Sequence, residues 1–355
     1  NTTGSVFRVT TWGESHGRAL GAVVDGCPPG ISLKASDIQQ ALDRRKPSAS
    51  VASTTREEGD LVEILSGVFE GKTIGTPISL IIRNADAQSS SYDALKDVFR
   101  PGQGDFTYLQ KYGIRDWRGG GRASGRETAA RVAAGAIAAK ILDRVGIDVI
   151  AYTKAIGSIA IDRGRMAAEK KLRTAVQENA LFCPDLQAAA RMERKITAVR
   201  KKGDSLGGIV EIIVRGCPGG LGEPVFDKMD ADLAKALMSI GSVKAVEVGD
   251  GFSMAGLQGS QTNDEIMPGG FKTNHAGGIL AGITNGEHIV LRAYCKPIPS
   301  IAKPQRTIDS KGKPRFIEIQ GRHDICVLPR IVPVCEAMVN IVVADHFLRQ
   351  RAIQS

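Results

Sequence analysis

Three short segments carry the residue types that chemistry needs. Gly13 to Gly17 reads GESHG and sets Ser15 and His16 side by side between glycines, directly after a strand-like run. An imidazole titrates near neutrality, so His16 could give or take a proton there, or it could be a structural turn residue. A serine hydrolase would also need an acidic partner and a G-x-S-x-G elbow, and neither is evident. The second segment, RPGQGDFTYLQKYGIRDWRGGGRASGRETAAR from Arg100 to Arg131, joins an arginine cluster to a glycine-rich helix start. Gly119, Gly120 and Gly121 permit close backbone approach, and Ser124 with Glu127 has the S-x-x-E spacing of a capping box. Exposed amides there, with Arg118, Arg122 and Arg126 at four-residue spacing, would favour a phosphate; the alternative is an ordinary cap with solvated arginines. The third segment is RHD, Arg322 to Asp324.

The rest of the chain narrows what such residues would bind. It has 355 residues, 42% of them hydrophobic, which is ample for a sizeable core. The beginning of the chain runs straight into SVFRVTTW without a charged-then-apolar signal pattern, and no apolar run of spanning length is read, so neither export nor membrane insertion is expected. Cys27, Cys183, Cys217, Cys295, Cys326 and Cys335 are scattered without a C-x-x-C pair, and the five histidines show no H-x-x-x-H spacing. Reduced buried thiols in a cytoplasmic protein without a metal site are therefore expected. A formal charge of +9 fits either nucleic acid or small anions in a basic pocket. With 5% aromatic residues and no basic tail, base stacking has little material, which favours small anions over RNA.

An internal echo organises the chain. GAVVDGCPPG (Gly21 to Gly30) resembles GGIVEIIVRGCPGG (Gly207 to Gly220), and DIQQAL (Asp37 to Leu42) resembles DLAKAL (Asp232 to Leu237). Each copy reads as strand, Pro/Gly turn and amphipathic helix with an acidic start. GVFEG before ISLIIR and GITNG before HIVLRAY read as hairpins. One domain over residues 1–355 with two similar α/β halves, about 1–150 and 205–355, is the economical inference; chance similarity around GCP is the alternative. A helix over residues 124–144, small on nearly every face, should lie buried between layers. Residues 157–203 should form peripheral helices, and residues 333–354 a last helix.

The three segments, together with DRRKP (Asp43 to Pro47), LSGVFEGKTIGTPISLII, GDSLGG, GLGEPVFDKMDADLAKALMSIG, NHAGGI, KPIPSI (Lys296 to Ile301) and DHFLRQRA, resemble the chorismate synthase family along nearly the entire chain. The resemblance implies a layered β-α-β sandwich of the α+β type, with central helices between antiparallel sheets and an internal pseudo-twofold. It implies a lyase that converts 5-enolpyruvylshikimate 3-phosphate to chorismate and phosphate by 1,4-elimination, with reduced FMN and no net redox change. His16 would protonate the departing phosphate, Asp324 would serve proton transfer on the flavin N5 side, and Ser15 and Ser124 would be hydrogen-bonding neighbours. Arg45, Arg100, Arg126 and Arg322 would hold the substrate's anionic groups. FMN would contact Arg122, Ala123, Ser124, Gly241, Ser242, Ala281, Arg322 and the segment Lys296, Pro297, Ile298, Pro299, Ser300. Asn274 in NHAGG is either a site residue or a turn residue.

Four positions depart from the family pattern. Gln103 in RPGQGD stands where a second catalytic histidine is usual, and its amide could donate a hydrogen bond to a flavin oxygen but could not carry a positive charge. Val51 stands at a usual arginine, with Arg56 nearby in sequence; Ile325 replaces a proline and Ala281 a glycine. A flavin- or phosphate-binding protein without turnover is the competing class, against which the persistence of His16 and Asp324 argues, and an RNA-binding module is the third. The resemblance further implies a homotetramer supplied by an external flavin reductase, with an intrinsic NADPH-dependent activity left open. Residues 49–58 and 303–315, polar and turn-rich, are expected to be mobile without ligands.

Overall fold

The computed structural model describes residues 1–46, 52, 59–84, 95–166, 168–319 and 323–353. Two five-stranded antiparallel sheets enclose a layer of helices. The first sheet has the strand order Thr2–Thr3, Arg8–Gly13, Ala19–Asp25, Ile78–Arg83 and Val62–Ile64. The second has the order Val243–Val248, Ile289–Cys295, Gly208–Arg215, Asp148–Ile156 and Ile159–Ala160. The Thr128–Asp143 helix packs against strands of both sheets, and Leu328–Ile353 packs against it and against the second sheet. This is the α+β sandwich expected from the family resemblance.

The helix pair at the centre is explained by side-chain size. TAARVAAGAIAAKILD carries small or apolar residues all round, as a helix covered on every side requires. At the crossing, a Cβ on Gly135 would stand 2.4 Å from the Ala337 Cβ, so nothing larger than glycine lets the two backbones approach this closely. By length and composition Leu328–Ile353 is apolar enough to cross a membrane, which corrects the expectation that no such run exists. Burial decides its role: 89% of its most apolar window is inside the protein, so it is a core helix. It also anchors the start of the chain, because the buried Asp345 carboxylate accepts the backbone amides of Ser5, Val6 and Phe7 at 2.7–3.0 Å.

The two halves repeat the same local hydrogen bonds. After the Ala19–Asp25 strand, Thr73 Oγ1 donates to Pro28 O (2.6 Å) and accepts from Ile31 N (3.0 Å). After Gly208–Arg215, Thr284 Oγ1 donates to Pro218 O (2.7 Å) and accepts from Leu221 N (2.9 Å). The helices Ala35–Arg45 and Met229–Met238 follow these turns, and each threonine closes a small hairpin, Val68–Phe69 with Lys72–Thr73 and Ile279–Leu280 with Ile283–Thr284.

Several boundaries differ from the sequence reading. The central helix begins at Thr128, preceded by two 3-10 turns, Gly121–Ala123 and Gly125–Glu127. The capping box is absent: Ser124 Oγ accepts from Arg126 N (3.2 Å), while the Glu127 carboxylate pairs with Arg131 (2.9 Å). Among the described residues, 157–203 supply the α-helices Leu172–Gln177 and Leu186–Arg200, two 3-10 turns and the edge strand Ile159–Ala160. Residues 303–315 lie largely in a hairpin, Gln305–Ile308 with Pro314–Ile317, whose turn is held by Asp309 Oδ1 accepting from Lys311 N (3.0 Å) and Lys313 N (2.9 Å). Val51, Arg56, Arg322 and, apart from Ala52, residues 49–58 lie outside the described residues. All six cysteines are buried and free. Burial pushes the Cys27, Cys183 and Cys217 thiols up to about 11 and the Cys295 and Cys326 thiols up to about 12, so they are inert packing groups.

Candidate active site

Four segments meet at a cavity of about 640 Å³, between residues 100–131, 238–244, 296–300 and 323–334. Its lining among the described residues includes seven Arg and Lys side chains, Arg100, Arg126, Lys296 and Arg330 among them, against the carboxylates of Glu127 and Asp324. Such an imbalance in a half-enclosed space suits a ligand with several negative groups.

Of the residues singled out in the sequence, Arg100, Gln103, Arg122, Ala123, Ser124, Arg126, Gly241, Ser242, Lys296, Ile298, Pro299, Ser300 and Asp324 line this cavity together. Ser15, His16, Arg45, Pro297 and Ala281 do not line it. Ser15 and His16 lie next to Gly119, the neighbour of lining residue Gly120, with Ser15 Oγ and His16 Nδ1 3.0 Å apart. Arg45 reaches Asp60 from the side opposite Arg126. Ala281 is an exposed residue with φ of 53° in the turn of the Ile279–Leu280 hairpin. Asn274 takes its turn alternative, donating to His288 O (2.8 Å) and accepting from Gly278 N (2.7 Å).

The arginines at four-residue spacing diverge, because residues 118–127 are turns rather than helix. Arg118 is exposed and forms a two-bond pair with Asp116 (2.9 and 2.8 Å). Arg122 reaches Gly13 O (3.0 Å) and Thr11 Oγ1 (2.6 Å), tying the glycine turn to the first sheet. Arg126 donates to Asn84 Oδ1 (2.9 Å) and pairs with buried Asp60. Asn84 in turn donates to Glu14 O (3.0 Å) and Gly17 O (2.8 Å), so one side chain couples the Ser15–His16 turn to Arg126.

Arg100 is held by Asp105, with Nε to Oδ2 at 2.8 Å and Nη2 to Oδ1 at 2.7 Å. Burial alone would raise the Asp105 carboxyl, but the Arg100 hydrogen bonds and charge, with Arg115 at 3.3 Å, hold it below the usual carboxylate range. Across the cavity, Lys296 Nζ donates to Gly102 O (2.9 Å) and Gln103 Nε2 donates to Ser300 Oγ (3.0 Å). These bonds latch the 100–104 loop to the 296–300 loop. A Cβ on Gly102 would meet the Pro299 Cβ at 2.8 Å, and its φ of 73° also calls for glycine. Asp324 accepts from Arg330 at 3.2 Å. Asp60, Asn84, Asp105, Tyr108, Arg115, Lys244, His323 and Arg330 were not singled out as site residues; Asp105, Tyr108 and Arg115 stand inside the Arg100–Arg131 segment and His323 inside RHD, whereas the other four carry no local signal.

The Gln103–Ser300 bond yields a direct test. A cycle of Gln103→Ala, Ser300→Ala and the double variant, measured by chemical denaturation, should give a coupling of about 0.5–1.5 kcal/mol. Additive losses would show that the latch has no energetic content.

A β-α-β sandwich with a cationic cavity at the ends of its central helices defines an α+β enzyme scaffold for anionic ligands. The family model described as chorismate synthase matches residues 7–348. A chorismate synthase of Syntrophus aciditrophicus (strain SB) is 62% identical over 353 residues, covering 99% of each chain, and one of Desulfatibacillum aliphaticivorans is 59% identical over 355 residues, covering 100% of this chain and 97% of the other. A solved structure described as a crystal structure of chorismate synthase superposes with a TM-score of 0.79 at 34% identity, over 98% of this chain and 93% of the other. The chain belongs to the chorismate synthase family, lyases of the last step of the shikimate pathway.

Proposed function

We propose that this chain converts 5-enolpyruvylshikimate 3-phosphate to chorismate and phosphate by 1,4-elimination at the cavity described above, with reduced FMN as cofactor. The observation that carries the reading is the concentration of cationic side chains around one half-enclosed space. The substrate brings a phosphate and two carboxylates and FMN a further phosphate, so the site needs several fixed cations. Arg100 and Arg126 are held in place by buried carboxylates and would bind the substrate's anionic groups, with Arg45 adding charge from behind. Arg322 belongs to the same proposal but lies outside the described residues.

The residues present fit a flavin. Gly241 has open space where a side chain would be, and Ser242 adopts φ of 79°, so the backbone there offers an uncrowded edge to a planar ring. Arg122, Ala123, Ser124, Gly241, Ser242 and the Lys296, Ile298, Pro299 and Ser300 segment would hold it, with Lys296 and Ser300 suited to its phosphate. Bound reduced flavin supplies an electron-rich partner for a hydrogen that no adjacent carbonyl acidifies. The chain's own contribution is orientation and proton handling: His16 delivers a proton to the departing phosphate and Asp324 serves proton transfer across the cavity. Ser15 fixes the imidazole through Nδ1, and Ser124 stiffens the turn that carries Arg126. Ala281 and Pro297 stay in the proposal only as outlying contacts.

The proposal extends to a single domain of two similar halves, about 1–150 and 205–355, supported by the matched threonine hydrogen bonds. It includes a cytoplasmic homotetramer fed by an external flavin reductase; exposed Phe226, Phe252 and Ile266 leave apolar surface for a partner copy to cover, and the protonated thiols suit a reducing compartment. Anaerobic incubation with chemically reduced FMN and 5-enolpyruvylshikimate 3-phosphate should yield chorismate absorbance and inorganic phosphate in equal amounts. Binding of both ligands without either product would leave a binding protein, and binding of neither would end the proposal.

A further inference from the structure

We propose that Gly119 is a positioning residue for His16: the side chain it lacks is the space the imidazole occupies. This inference rests on the reading of His16 as the proton donor. A Cβ built on Gly119 would stand 2.1 Å from His16 Nδ1, 2.4 Å from Cε1 and 3.1 Å from Cγ, far inside any packed contact. Gly119 is not among the glycines with positive φ, so the obstacle to alanine lies in its surroundings, and the three nearest atoms all belong to the His16 ring. Its neighbours differ: a Cβ on Gly120 would meet Ser124 at 3.1 Å, and one on Gly121 would meet nothing within 4 Å.

Neither side of the contact is free to yield. His16 Nδ1 lies 3.0 Å from Ser15 Oγ, and the turn that carries both is closed by Gly17 N to Glu14 O (3.1 Å) and clamped by Asn84. On the other side Gly119 O accepts from Arg100 (3.3 Å), which Asp105 fixes, and the preceding Arg118 N donates to Asp116 Oδ1 (3.1 Å). Hydrogen bonding from Arg118, with a smaller contribution from His16, holds the Asp116 carboxyl below its usual range, which fits a carboxylate close to this imidazole. The Nδ1–Cε1 edge of the ring is thus seated against the glycine backbone, and the seat sets the direction in which the other nitrogen points. Reorienting a catalytic group by about 1 Å can cost on the order of 100-fold in rate.

The test uses the full chain with Gly119→Ala, His16→Asn, His16→Ala, the pair His16→Ala/Gly119→Ala, and Gly256→Ala, a distant glycine with open space, as control. In Gly119→Ala the ¹⁵N signals of the His16 ring, assigned by their loss in His16→Asn, should move, and kcat should fall about 100-fold while FMN affinity and KM stay near the parent's. Gly256→Ala should match the parent throughout. The stability lost in Gly119→Ala should vanish when alanine is introduced into His16→Ala, where the ring is gone; if Gly119→Ala alone does not fold, a folded double variant supports the seat. Unmoved His16 signals, or an equal stability loss with and without the ring, would overturn it. Parental turnover in His16→Asn would instead refute the proton-donor reading, leaving the ring signals and the stability cycle to judge the seat.

Discussion

Replacing His16 by asparagine lowers turnover by about 10²–10⁴-fold while FMN and substrate still bind. Asparagine keeps a polar group beside Ser15 Oγ, so the 3.0 Å contact at the Nδ1 position has a substitute. It has no group that exchanges a proton near neutrality, which isolates the chemistry from the packing. The GESHG turn itself should survive, because its shape depends on Gly13 at φ of 88° and on the Asn84 amide holding Glu14 O and Gly17 O. Single-turnover measurement of phosphate release under anaerobic conditions checks this. Parental turnover would remove His16 from the reaction, and loss of substrate binding would make it a binding residue instead.

What could be read from the sequence was what depends on near neighbours or on long matching strings. The turn around His16, the glycine run, the repeated strand–turn–helix units and the small-residue character of the Thr128–Asp143 helix all rest on local spacing. The two antiparallel sheets came from the family resemblance, since alternation alone indicates strands without saying which pair. The site's clamps were invisible for a different reason. Arg126 is paired with Asp60 and Asn84, 66 and 42 residues away, and Gln103 with Ser300, 197 residues away. No spacing rule covers such contacts; they exist because the sandwich brings separate loops to one end of the central helices. The same distance effect explains the failed expectations. Four-residue arginine spacing means a common face only on a helix, and the turns from Gly121 to Glu127 send Arg118, Arg122 and Arg126 in three directions. The motif around Gln103 suggested an amide able to donate to a flavin oxygen; it gave no sign of the hydrogen bond this amide donates to Ser300 Oγ across the cavity.

Asp60 is the buried group on which those long-range contacts converge, and Asp60→Asn should destabilise the protein by about 3–5 kcal/mol. Its carboxylate is 2% exposed; Arg126 pairs with Oδ1, and Arg45, itself fully buried, lies 3.9 Å from Oδ2. Taking the charge from the carboxylate leaves two guanidiniums facing a neutral amide with little water to screen them. Backbone strain does not confuse the result, since Asp60 has φ of 46° and asparagine tolerates that region at least as well. The same substitution carries a functional signature. Removing the carboxylate takes a negative charge from beside Arg126, which lines the cavity, and so makes this wall more favourable to an anion. Inorganic phosphate should therefore raise the stability of Asp60→Asn more than that of the parent, and the difference should shrink at high chloride as screening and competition set in. Denaturation of both proteins with and without phosphate measures all three effects. A variant within about 0.5 kcal/mol of the parent would show that the arginines are neutralised elsewhere. A large loss without the phosphate effect would make the cluster purely structural, and would take Arg45 and Arg126 out of the proposed substrate contacts.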